Sequence, residues 1–522
     1  MPRTFFWTTD PWTCRIIIPN VSITFSNIFI DISFTKDYTK KEVELPGRSP
    51  ATAEGVFFIQ KGDEYMSNQT NPETRQWGSR FGYLMVAAGA AIGLGNIWRF
   101  PYLAYEGGGG VFLVVYIIVV VLMGHPMVEM ETALGRYSGK DTVTAFQQIN
   151  RKWGFAGWMA VICTTLLCMY YVVVGGWVAK YAFQYIVSGD FGSDKQAYYD
   201  KFTSSAVEPI VWTMLLLVLV SVLLYFGITN TVEKISKVML PLLFALLIIC
   251  GIWALFVNEN AIEGVKYYLL PDFSKFSFTT FAQAATQVLF SIGIGWGLYE
   301  TLGANISKEN NLKSDAVMVS VFDTAAAILA GFVVVPSAFS GGVDIQSAGP
   351  SLVFNVMTDI FDRLAGGRII GACFFLAILF AVISSLFSFF EIAIRTFEDH
   401  CHMGRRNATI LTAVIIGAGN IIVSLGFGML SGLKLPWLDA KGLTSYGLYD
   451  WLDMFTAYLL MPIGCILVCV FIAKVWGFKN YEKEVTNDGK FGRVTAFDKI
   501  RTVVLVPFFM IVILLTVFGF IQ

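Results

Sequence analysis

The chain has 522 residues, of which 55% are hydrophobic and 14% are charged, and its formal net charge is −1. This composition is typical of a membrane protein and excludes a soluble protein built from several domains. The net charge near zero argues against a nucleic-acid partner. Most of the eight cysteines lie in apolar segments, where we expect small core side chains rather than a disulfide framework.

Residues 1–65 differ from the rest of the chain, because they contain neither a clear signal peptide nor a run of about 20 apolar residues. The stretch Lys61–Asp63, just before Met66, can be back-translated as a ribosome-binding sequence upstream of a bacterial start codon. The sequence therefore predicts that residues 1–65 are an over-assigned or disordered leader. Residues 66–522 form the second predicted unit.

About eleven apolar segments of that unit are long enough to cross a bilayer as helices. Numbered as spans 1–11 in chain order, they lie near residues 80–104, 109–135, 153–187, 209–227, 235–256, 281–304, 312–338, 369–398, 407–427, 446–475 and 498–520. Loops rich in Lys and Arg alternate with loops that are poorer in them. The positive-inside rule therefore places the N-terminus in the cytoplasm and, after an odd number of spans, the C-terminus outside.

Span 1 contains a stretch, Gly89–Pro101, that an uninterrupted membrane helix would not carry. Irregular backbone inside a membrane must face protein or a water-filled cavity, because lipid cannot satisfy its polar groups. Freed carbonyls can hold a cation, and a half-helix N-terminus can hold an anion. The spacing of Gly89 and Gly93 also fits a close-packed helix face. The addition of Asn96 and Arg99 favours a binding site.

Span 6 contains a second glycine-rich break, Ser291–Gly297. Two interrupted spans at corresponding positions of two halves are typical of a transporter whose site lies between inverted repeats. Nucleotide-binding loops are excluded. Glu106–Gly110 lacks a following Lys-Ser/Thr, and Gly293–Gly297 lies in an apolar helix rather than in a strand-to-helix turn.

The stretch Trp77–Glu106, with Gly-Leu-Gly-Asn-Ile-Trp-Arg-Phe-Pro-Tyr at its centre, resembles the neurotransmitter:sodium symporter family, and so does Pro126–Arg136 in span 2. The resemblance extends from about residue 75 to the C-terminus. It implies an all-α multi-pass membrane protein with a LeuT-type 5+5 inverted repeat and unwound spans 1 and 6. The repeats would cover about 78–256 and 278–475, followed by one additional C-terminal helix. The sequence is similar to bacterial members, which implies the bacterial inner membrane.

The resemblance implies two sodium sites, and sodium, as a hard cation, prefers oxygen ligands. The first would use the Ala91 carbonyl, the Asn96 side chain and Ser291, together with a residue of span 7 and the substrate carboxylate. Asp323 lies in the apolar part of span 7, and an intramembrane carboxylate is a functional candidate by default. Relatives that need chloride carry a neutral residue in this region. Asp323 therefore predicts chloride independence and a contact with the first sodium ion.

The second sodium site, again as the resemblance implies, would use three carbonyls and two hydroxyls. The carbonyls belong to Gly89, Ile92 and Ala381, and the hydroxyls to Ser384 and Ser385. The two serines lie in an otherwise apolar run, and no other function explains their presence there. The alternative for them is hydrogen bonding to the preceding turn of their own helix.

The substrate class depends on Gly93, because amine-transporting relatives carry an Asp there to pair with the amine. Gly93 leaves room for a carboxylate, so the predicted substrate is an α-amino acid. Amides near Gly93 and Gly95, the Tyr171 hydroxyl and the first sodium ion would hold the carboxylate. Carbonyls of the unwound span 6 and Ser384 would meet the amino group.

The side-chain pocket implied by the resemblance is apolar and aromatic. Gly293 is expected to widen it by removing a side chain at the break, so we predict a large hydrophobic or aromatic amino acid. Ordinary helix packing is the alternative for each of the aromatic residues. The full set of predicted substrate contacts is Ala91, Gly93, Gly95, Leu167, Tyr171, Phe290, Ser291, Gly293, Ile294, Trp296, Ser384 and Phe389.

Two gates would close the site. On the outer side, Arg99 would pair with Asp453 above a lid formed by Tyr171 and Phe290. Charged residues in apolar spans need partners, which supports this pairing.

On the inner side, Trp77 and Arg75 would close against Asp399. The sequence departs from the family pattern at this gate, because the usual arginine position holds Thr74 and the usual tyrosine position holds Asn305.

These features together predict a sodium-coupled amino-acid symporter that works by alternating access and is not an enzyme. The predicted partners are the amino acid, sodium ions and the lipid bilayer, while monomer and dimer stay open. One alternative is a proton-coupled permease of the same fold, which would keep transporting when choline replaces sodium. The other is a non-transporting sensor, which would bind an amino acid without accumulating it in liposomes.

Overall fold

The computed structural model describes residues 5–7, 13–18, 21–26, 29–33, 76–257, 260–341, 351–363, 365–439 and 442–520. The chain divides into two compact units, Met1–Gln69 and Thr70–Gln522. In the first unit, four strands form one antiparallel sheet in chain order. The strands are Phe5–Trp7, Thr13–Ile18, Val21–Ser26 and Phe29–Ser33. The predicted start at Met66 lies outside the described residues and stays a prediction.

The second unit is built almost entirely from helices. Its α-helices are Arg80–Ala91, Phe100–Glu106, Gly110–Val119, His125–Ser138, Thr142–Ile149, Gly154–Val187, Lys195–Ser204, Glu208–Tyr225, Glu233–Val257, Ala261–Leu269, Phe278–Ile292, Leu298–Gly303, Leu312–Gly341, Thr358–Arg363, Gly367–Asp399, Arg405–Leu425, Leu448–Met454, Met461–Val470, Phe478–Thr486, Ala496–Ile500 and Val506–Val517. Wider π-helical turns are Gly95–Arg99, Val120–Gly124, Ile228–Val232, Leu352–Met357, Phe455–Leu460, Phe471–Gly477 and Arg501–Leu505. Short 3-10 turns are Arg151–Trp153 and Phe273–Lys275, and the strands Lys434–Asp439 and Gly442–Gly447 pair as an antiparallel hairpin.

The predicted spans correspond to these helices. In the described part of the chain, nine helical stretches are long and apolar enough to cross a membrane, and the pair Arg80–Ala91 and Gly95–Glu106, bent by 58°, makes a tenth. Span 6 is present as Phe278–Ile292 and Leu298–Gly303, two short helices separated by five residues that include its three glycines. The fold is the all-α multi-pass architecture expected from the sequence.

Span 4 illustrates why these helices belong in a bilayer. Val211, Leu215, Val218 and Val222 recur every three or four residues, so they share one helix face, and all four are exposed. A stripe of large exposed aliphatic side chains is unfavourable in water and favourable against lipid chains.

Close packing between spans 2 and 6 positions the second break. A Cβ atom on Gly135 would lie 2.0 Å from the carbonyl oxygen of Glu300, and one on Gly303 would lie 2.6 Å from that of Thr132. Only glycine permits two helix backbones to approach this closely. The C-terminal half of span 6 is therefore held directly against span 2, while span 8 packs along spans 3 and 5.

Candidate functional site

The break in span 1 leaves backbone groups that side chains from inside the protein satisfy. The first helix ends at Ala91, and the chain turns helical again only from Gly95 onwards. The Gly93 amide donates to Asn96 Oδ1 at 2.9 Å, and the Leu94 amide donates to the Tyr171 hydroxyl at 3.1 Å. Asn96 therefore stabilises the break of its own span, and Tyr171 reaches it from span 3.

The break in span 6 depends on backbone conformations that favour glycine. Gly293, Gly295 and Gly297 have φ angles of +79°, +86° and +87°. The Gly295 amide donates to Glu131 Oε1 of span 2 at 2.6 Å. The carbonyl of Trp296 accepts a hydrogen bond from Thr164 Oγ1 of span 3 at 2.7 Å. Buried side chains of spans 2 and 3 thus hold the unwound segment.

An oxygen cluster joins span 1 to span 8. The Ser385 hydroxyl lies 3.3 Å from the Gly89 carbonyl oxygen, 3.1 Å from that of Ile92 and 3.0 Å from that of Ala381. Ser384 Oγ lies 3.0 Å from the same Ala381 carbonyl. The structure therefore brings together the five oxygen atoms that the sequence analysis assigned to the second sodium site.

The two serines of this cluster differ in their partners. The Ser384 hydroxyl donates to the carbonyl oxygens of Phe380 and Ala381 in its own helix, at 2.9 Å and 3.0 Å. Local back-bonding therefore accounts for Ser384. It does not account for Ser385, because that hydroxyl also reaches two carbonyls of the broken span.

A second polar cluster surrounds Asp323, which is fully buried. Asn96 Nδ2 donates to Asp323 Oδ1 at 2.7 Å, and Ser291 Oγ lies 3.1 Å and 3.0 Å from the two carboxylate oxygens. The Tyr116 hydroxyl of span 2 donates to Oδ2 at 3.2 Å. Asp323 is thus the span 7 residue that meets both broken spans at the predicted first sodium site.

A small cavity lies between the two breaks and has a volume of about 10 Å³. Its lining consists of Ala90, Ala91, Gly93, Leu94, Gly95, Asn96, Tyr171, Phe290, Trp296, Ser385 and Phe389. Five predicted substrate contacts, all among the described residues, do not line it: Leu167, Ser291, Gly293, Ile294 and Ser384.

The Trp296 indole lies directly beside Gly293, and the expectation that this glycine widens the pocket stays a prediction. A Cβ atom on Gly293 would lie 2.9 Å from Trp296 Cζ2 and 3.2 Å from Trp296 Nε1. The space left by the missing side chain is therefore filled by the indole of Trp296.

On one side of this cavity lies a vestibule of about 580 Å³, whose lining includes Arg99, Phe290 and Asp453. Arg99 donates to the Tyr458 hydroxyl at 2.9 Å, and Asp453 accepts from the Tyr170 hydroxyl at 3.0 Å. Arg99 and Asp453, both within the described part of the chain, form no ion pair in this structure. The predicted outer pair is therefore open here, and its formation stays a prediction for a closed state.

On the opposite side, contacts between distant parts of the chain close the site. Trp77 Nε1 donates to the Leu302 carbonyl at 3.0 Å. Arg395 donates to Asp399 Oδ2 at 2.7 Å and to Asn305 Oδ1 at 2.8 Å. Arg75, the predicted cation of this gate, lies outside the described residues.

The sequence analysis did not assign roles to Tyr116, Glu131 and Arg395. The first two lie in apolar span 2, where buried polar groups are functional candidates by default. Arg395 precedes Asp399 by four residues on one helix, a spacing at which opposite charges meet. These general rules could have identified all three residues.

Comparisons with known proteins identify the family of this chain. A sequence model described as the sodium:neurotransmitter symporter family matches residues 74–189 and 202–522. An uncharacterized sodium-dependent transporter of Haemophilus influenzae is 32% identical over 422 residues, which cover 78% of this chain and 91% of that protein. Another from Bacillus subtilis is 30% identical over 453 residues, covering 85% and 98%. The crystal structure of MhsT in complex with L-phenylalanine matches with a TM-score of 0.76 and 30% identity, covering 84% of this chain and 99% of that one.

Proposed function

The chain belongs to the sodium:neurotransmitter symporter family, and from this premise we propose that it carries a neutral α-amino acid across the membrane together with sodium. It is a sodium-dependent multi-pass membrane transporter and not an enzyme. The observation that carries the amino-acid proposal is Gly93 at the break of span 1. A Cβ atom there would lie 2.6 Å from the Tyr171 hydroxyl and 3.3 Å from Ser385 Oγ. The acidic side chain that would pair with an amine substrate therefore has no room.

Sodium occupies the two oxygen clusters in this proposal. The cluster around Ser385 takes one ion between spans 1 and 8. Asn96, Ser291 and Asp323 contribute to the other, with the Ala91 carbonyl and the substrate carboxylate. Because both clusters include atoms of a broken span, ion binding depends on how the spans are arranged, and this couples sodium to the transport cycle.

Alternating access links these sites to the two sides of the protein. With sodium bound, the Arg99 side is open and the amino acid enters through the vestibule. Tyr171 and Phe290 then cover the substrate, Arg99 pairs with Asp453, and the Asp399 side opens. The Arg99 side faces outward, the N-terminus is cytoplasmic, the C-terminus is outside, and the membrane is the bacterial inner membrane.

Chloride independence is the part of the proposal that depends on Asp323. Its carboxylate lies among the hydroxyls of Tyr116 and Ser291 and the amide of Asn96, all of which can donate to an anion. A fixed negative charge at this position removes the need for a bound chloride ion. Asp323→Ser should make uptake depend on chloride, with a fall of about tenfold when gluconate replaces it, equal to about 1.4 kcal/mol. Uptake by this variant that stays insensitive to chloride would contradict the assignment.

In this proposal the side chain of the substrate is large and hydrophobic or aromatic. The sequence analysis predicts a large hydrophobic or aromatic amino acid, and MhsT was solved with L-phenylalanine.

The test of the proposed function is equilibrium binding of the twenty amino acids to the purified full chain, in sodium chloride and in choline chloride, followed by uptake into liposomes. We expect binding of at least one neutral amino acid that requires sodium, and accumulation driven by a sodium gradient. Uptake that persists in choline would favour the proton-coupled permease. Binding without accumulation would favour the sensor.

A further inference from the structure

The hairpin between spans 9 and 10 exposes apolar side chains on one of its faces. Leu438 and Leu443 are cross-strand partners, so their side chains lie on the same face, and they are 52% and 77% exposed. An antiparallel hairpin commonly turns apolar side chains to the protein and polar side chains to water. This leucine pair, which the described part of the chain leaves uncovered, is therefore suited to an apolar surrounding outside the protein.

The opposite face of the hairpin packs against the end of span 11. Trp437 precedes Leu438 in the strand, so its side chain points to the other face, and it is only 7% exposed. Its ring stacks on that of Phe518, with the centroids 6.1 Å apart and the ring planes at 21°. This contact fixes the hairpin with its leucine pair directed away from span 11.

Phe518 continues the lipid-facing side of span 11. A spacing of three or four residues places on one helix face Phe508, Ile511, Leu515 and Phe518. Phe508 and Ile511 are 54% and 48% exposed, as expected of side chains that meet lipid chains. The hairpin covers this face at the end of the helix that borders the vestibule. Its leucine pair therefore looks toward the same lipid.

The residues near this contact are typical of the boundary between membrane and water. The rings of Trp437 and Trp451 lie 6.5 Å apart, and Trp451 Nε1 donates to the Pro436 carbonyl at 3.0 Å. Tryptophan is enriched at membrane interfaces. In the sequence, the turn between the strands holds one acidic and one basic residue, Asp439 and Lys441. Because charges are unfavourable at the bilayer centre, the turn favours a shallow position among the headgroups.

The hairpin is also continuous with one wall of the vestibule. The strand Gly442–Gly447 leads directly into the helix Leu448–Met454. Three residues of that helix line the vestibule: Tyr449, Asp450 and Asp453. A contact between the hairpin and the bilayer therefore acts on the element that carries the predicted partner of Arg99.

We propose that the face of the hairpin formed by Leu438 and Leu443 inserts into the bilayer leaflet on the Arg99 side, at the boundary between headgroups and acyl chains. Lipid is its partner, because this face continues a surface of span 11 that already meets lipid. Burial of one leucine side chain favours the inserted position by about tenfold or more. The inference does not depend on which amino acid or ion the protein carries.

Fluorescence quenching in nanodiscs tests this inference on the full chain. An environment-sensitive label is attached to Leu443→Cys in a background without Cys14, Cys373 and Cys401, which leaves only buried cysteines. Ser193→Cys, in an exposed polar loop on the Arg99 side, provides the matched control. Lipids brominated near the start of the acyl chain should quench the Leu443→Cys label at least about twofold more than the control label. Aqueous iodide should quench the control label more.

Two results would overturn the inference. The first is a Leu443→Cys label that iodide quenches and brominated lipid does not, which would place this face in water. The second is a label shielded from both quenchers, which would indicate a second copy of the chain or another protein. Should Leu443→Cys not fold, a label on Leu438→Cys makes the same measurement on the same face.

A pair of variants adds a test of the apolar contact itself. With the label on Leu438→Cys, Leu443→Asp should shift the face toward water by about tenfold, because it removes an apolar side chain from the contact. Leu443→Ile should keep the quenching by brominated lipid. Equal quenching in the two variants would contradict insertion. Sodium-dependent amino-acid binding, measured on the same samples, separates failure of this inference from failure of the proposed function.

Discussion

The Arg99 side and the Asp399 side of the central site are held by different kinds of contact. On the Asp399 side, the Arg395 guanidinium joins span 8 to Asn305, at the end of span 6, and to the Gly139 carbonyl that follows span 2. On the Arg99 side, the vestibule separates the walls, and Arg99 and Asp453 each have a tyrosine hydroxyl as a hydrogen-bond partner.

The difference shows how one side can be shut while the other is ready to close. Bonds between distant segments hold the Asp399 side, so opening it requires breaking charged contacts in a buried environment. On the Arg99 side, closure includes an exchange in which two charged groups give up neutral partners and pair with each other. The populations of the state open on the Arg99 side and the state open on the Asp399 side therefore depend on a small difference between the free energies of these two sets of contacts.

The largest effect is expected from Glu484, which lies on the Asp399 side of the protein. Its carboxylate accepts from Arg136 Nε at 2.7 Å and from Lys308 Nζ at 2.5 Å, and the Arg136 side chain is 1% exposed. Glu484→Ala leaves a buried charge without its partner and should lower the free energy of unfolding by about 3–5 kcal/mol. Thermal unfolding of the variant and of the wild-type protein in detergent measures this loss of stability.

The matched control for Glu484 is Glu263→Ala. Glu263 pairs with Lys266 at 2.8 Å, but both side chains are more than half exposed. Removal of an exposed pair should change stability by less than about 1 kcal/mol. Equal losses in the two variants would contradict the view that buried charge pairs hold the Asp399 side.

A smaller effect is expected from Arg395→Ala. The variant removes the ion pair to Asp399 and the bridge to Asn305, and hydrogen bonds to charged groups contribute about 1.5–3 kcal/mol. The Asp399 side should open more often, by about tenfold or more. A cysteine introduced at Thr301, which is buried next to this gate, should then react faster with a thiol reagent in a background that lacks Cys401. Arg395→Lys, which keeps the charge, should be intermediate, and unchanged labelling in the alanine variant would remove Arg395 from the gate.

Asp453→Asn tests the opposite side. If Arg99 pairs with Asp453 when the site closes, loss of the negative charge should slow sodium-driven uptake by about tenfold, equal to about 1.4 kcal/mol. Sodium-dependent binding should persist, because Asp453 contacts neither oxygen cluster in the described part of the chain. Initial rates in liposomes, compared with equilibrium binding, separate the two effects. Normal uptake would mean that closure does not use this pair.

The smallest effect is expected from Tyr458→Phe. Loss of the hydroxyl releases Arg99 from a charge-assisted hydrogen bond, a kind that contributes about 1.5–3 kcal/mol. Because Arg99 lines the vestibule, water should replace most of this contribution. Closure should become easier, so bound substrate should dissociate toward the vestibule about two- to tenfold more slowly. Dilution of preloaded protein measures this rate. Faster dissociation would indicate that Tyr458 stabilises the closed state instead.

Much of the membrane architecture could be predicted because its signals are local. Long apolar runs identified the spans, and the glycines of spans 1 and 6 identified the breaks. Lipid cannot replace the hydrogen bonds that an unwound helix loses, so such a break indicates backbone that faces protein or a water-filled cavity. Asp323 was recognisable as a buried carboxylate, although only the folded chain shows that both of its oxygens face Ser291.

The sequence by itself determined where the chain crosses the membrane and where it unwinds, and it brought forward the oxygen-bearing residues that we propose as sodium ligands. Only the tertiary structure decided that Trp296 fills the hollow at Gly293 and that Arg395 ties Asp399 to Asn305. It also decided that Arg99 donates a hydrogen bond to the Tyr458 hydroxyl and does not pair with Asp453. The physical reason is that helix formation and unwinding depend on neighbouring residues, whereas pocket volume and gate partners depend on side chains from segments far apart in the chain.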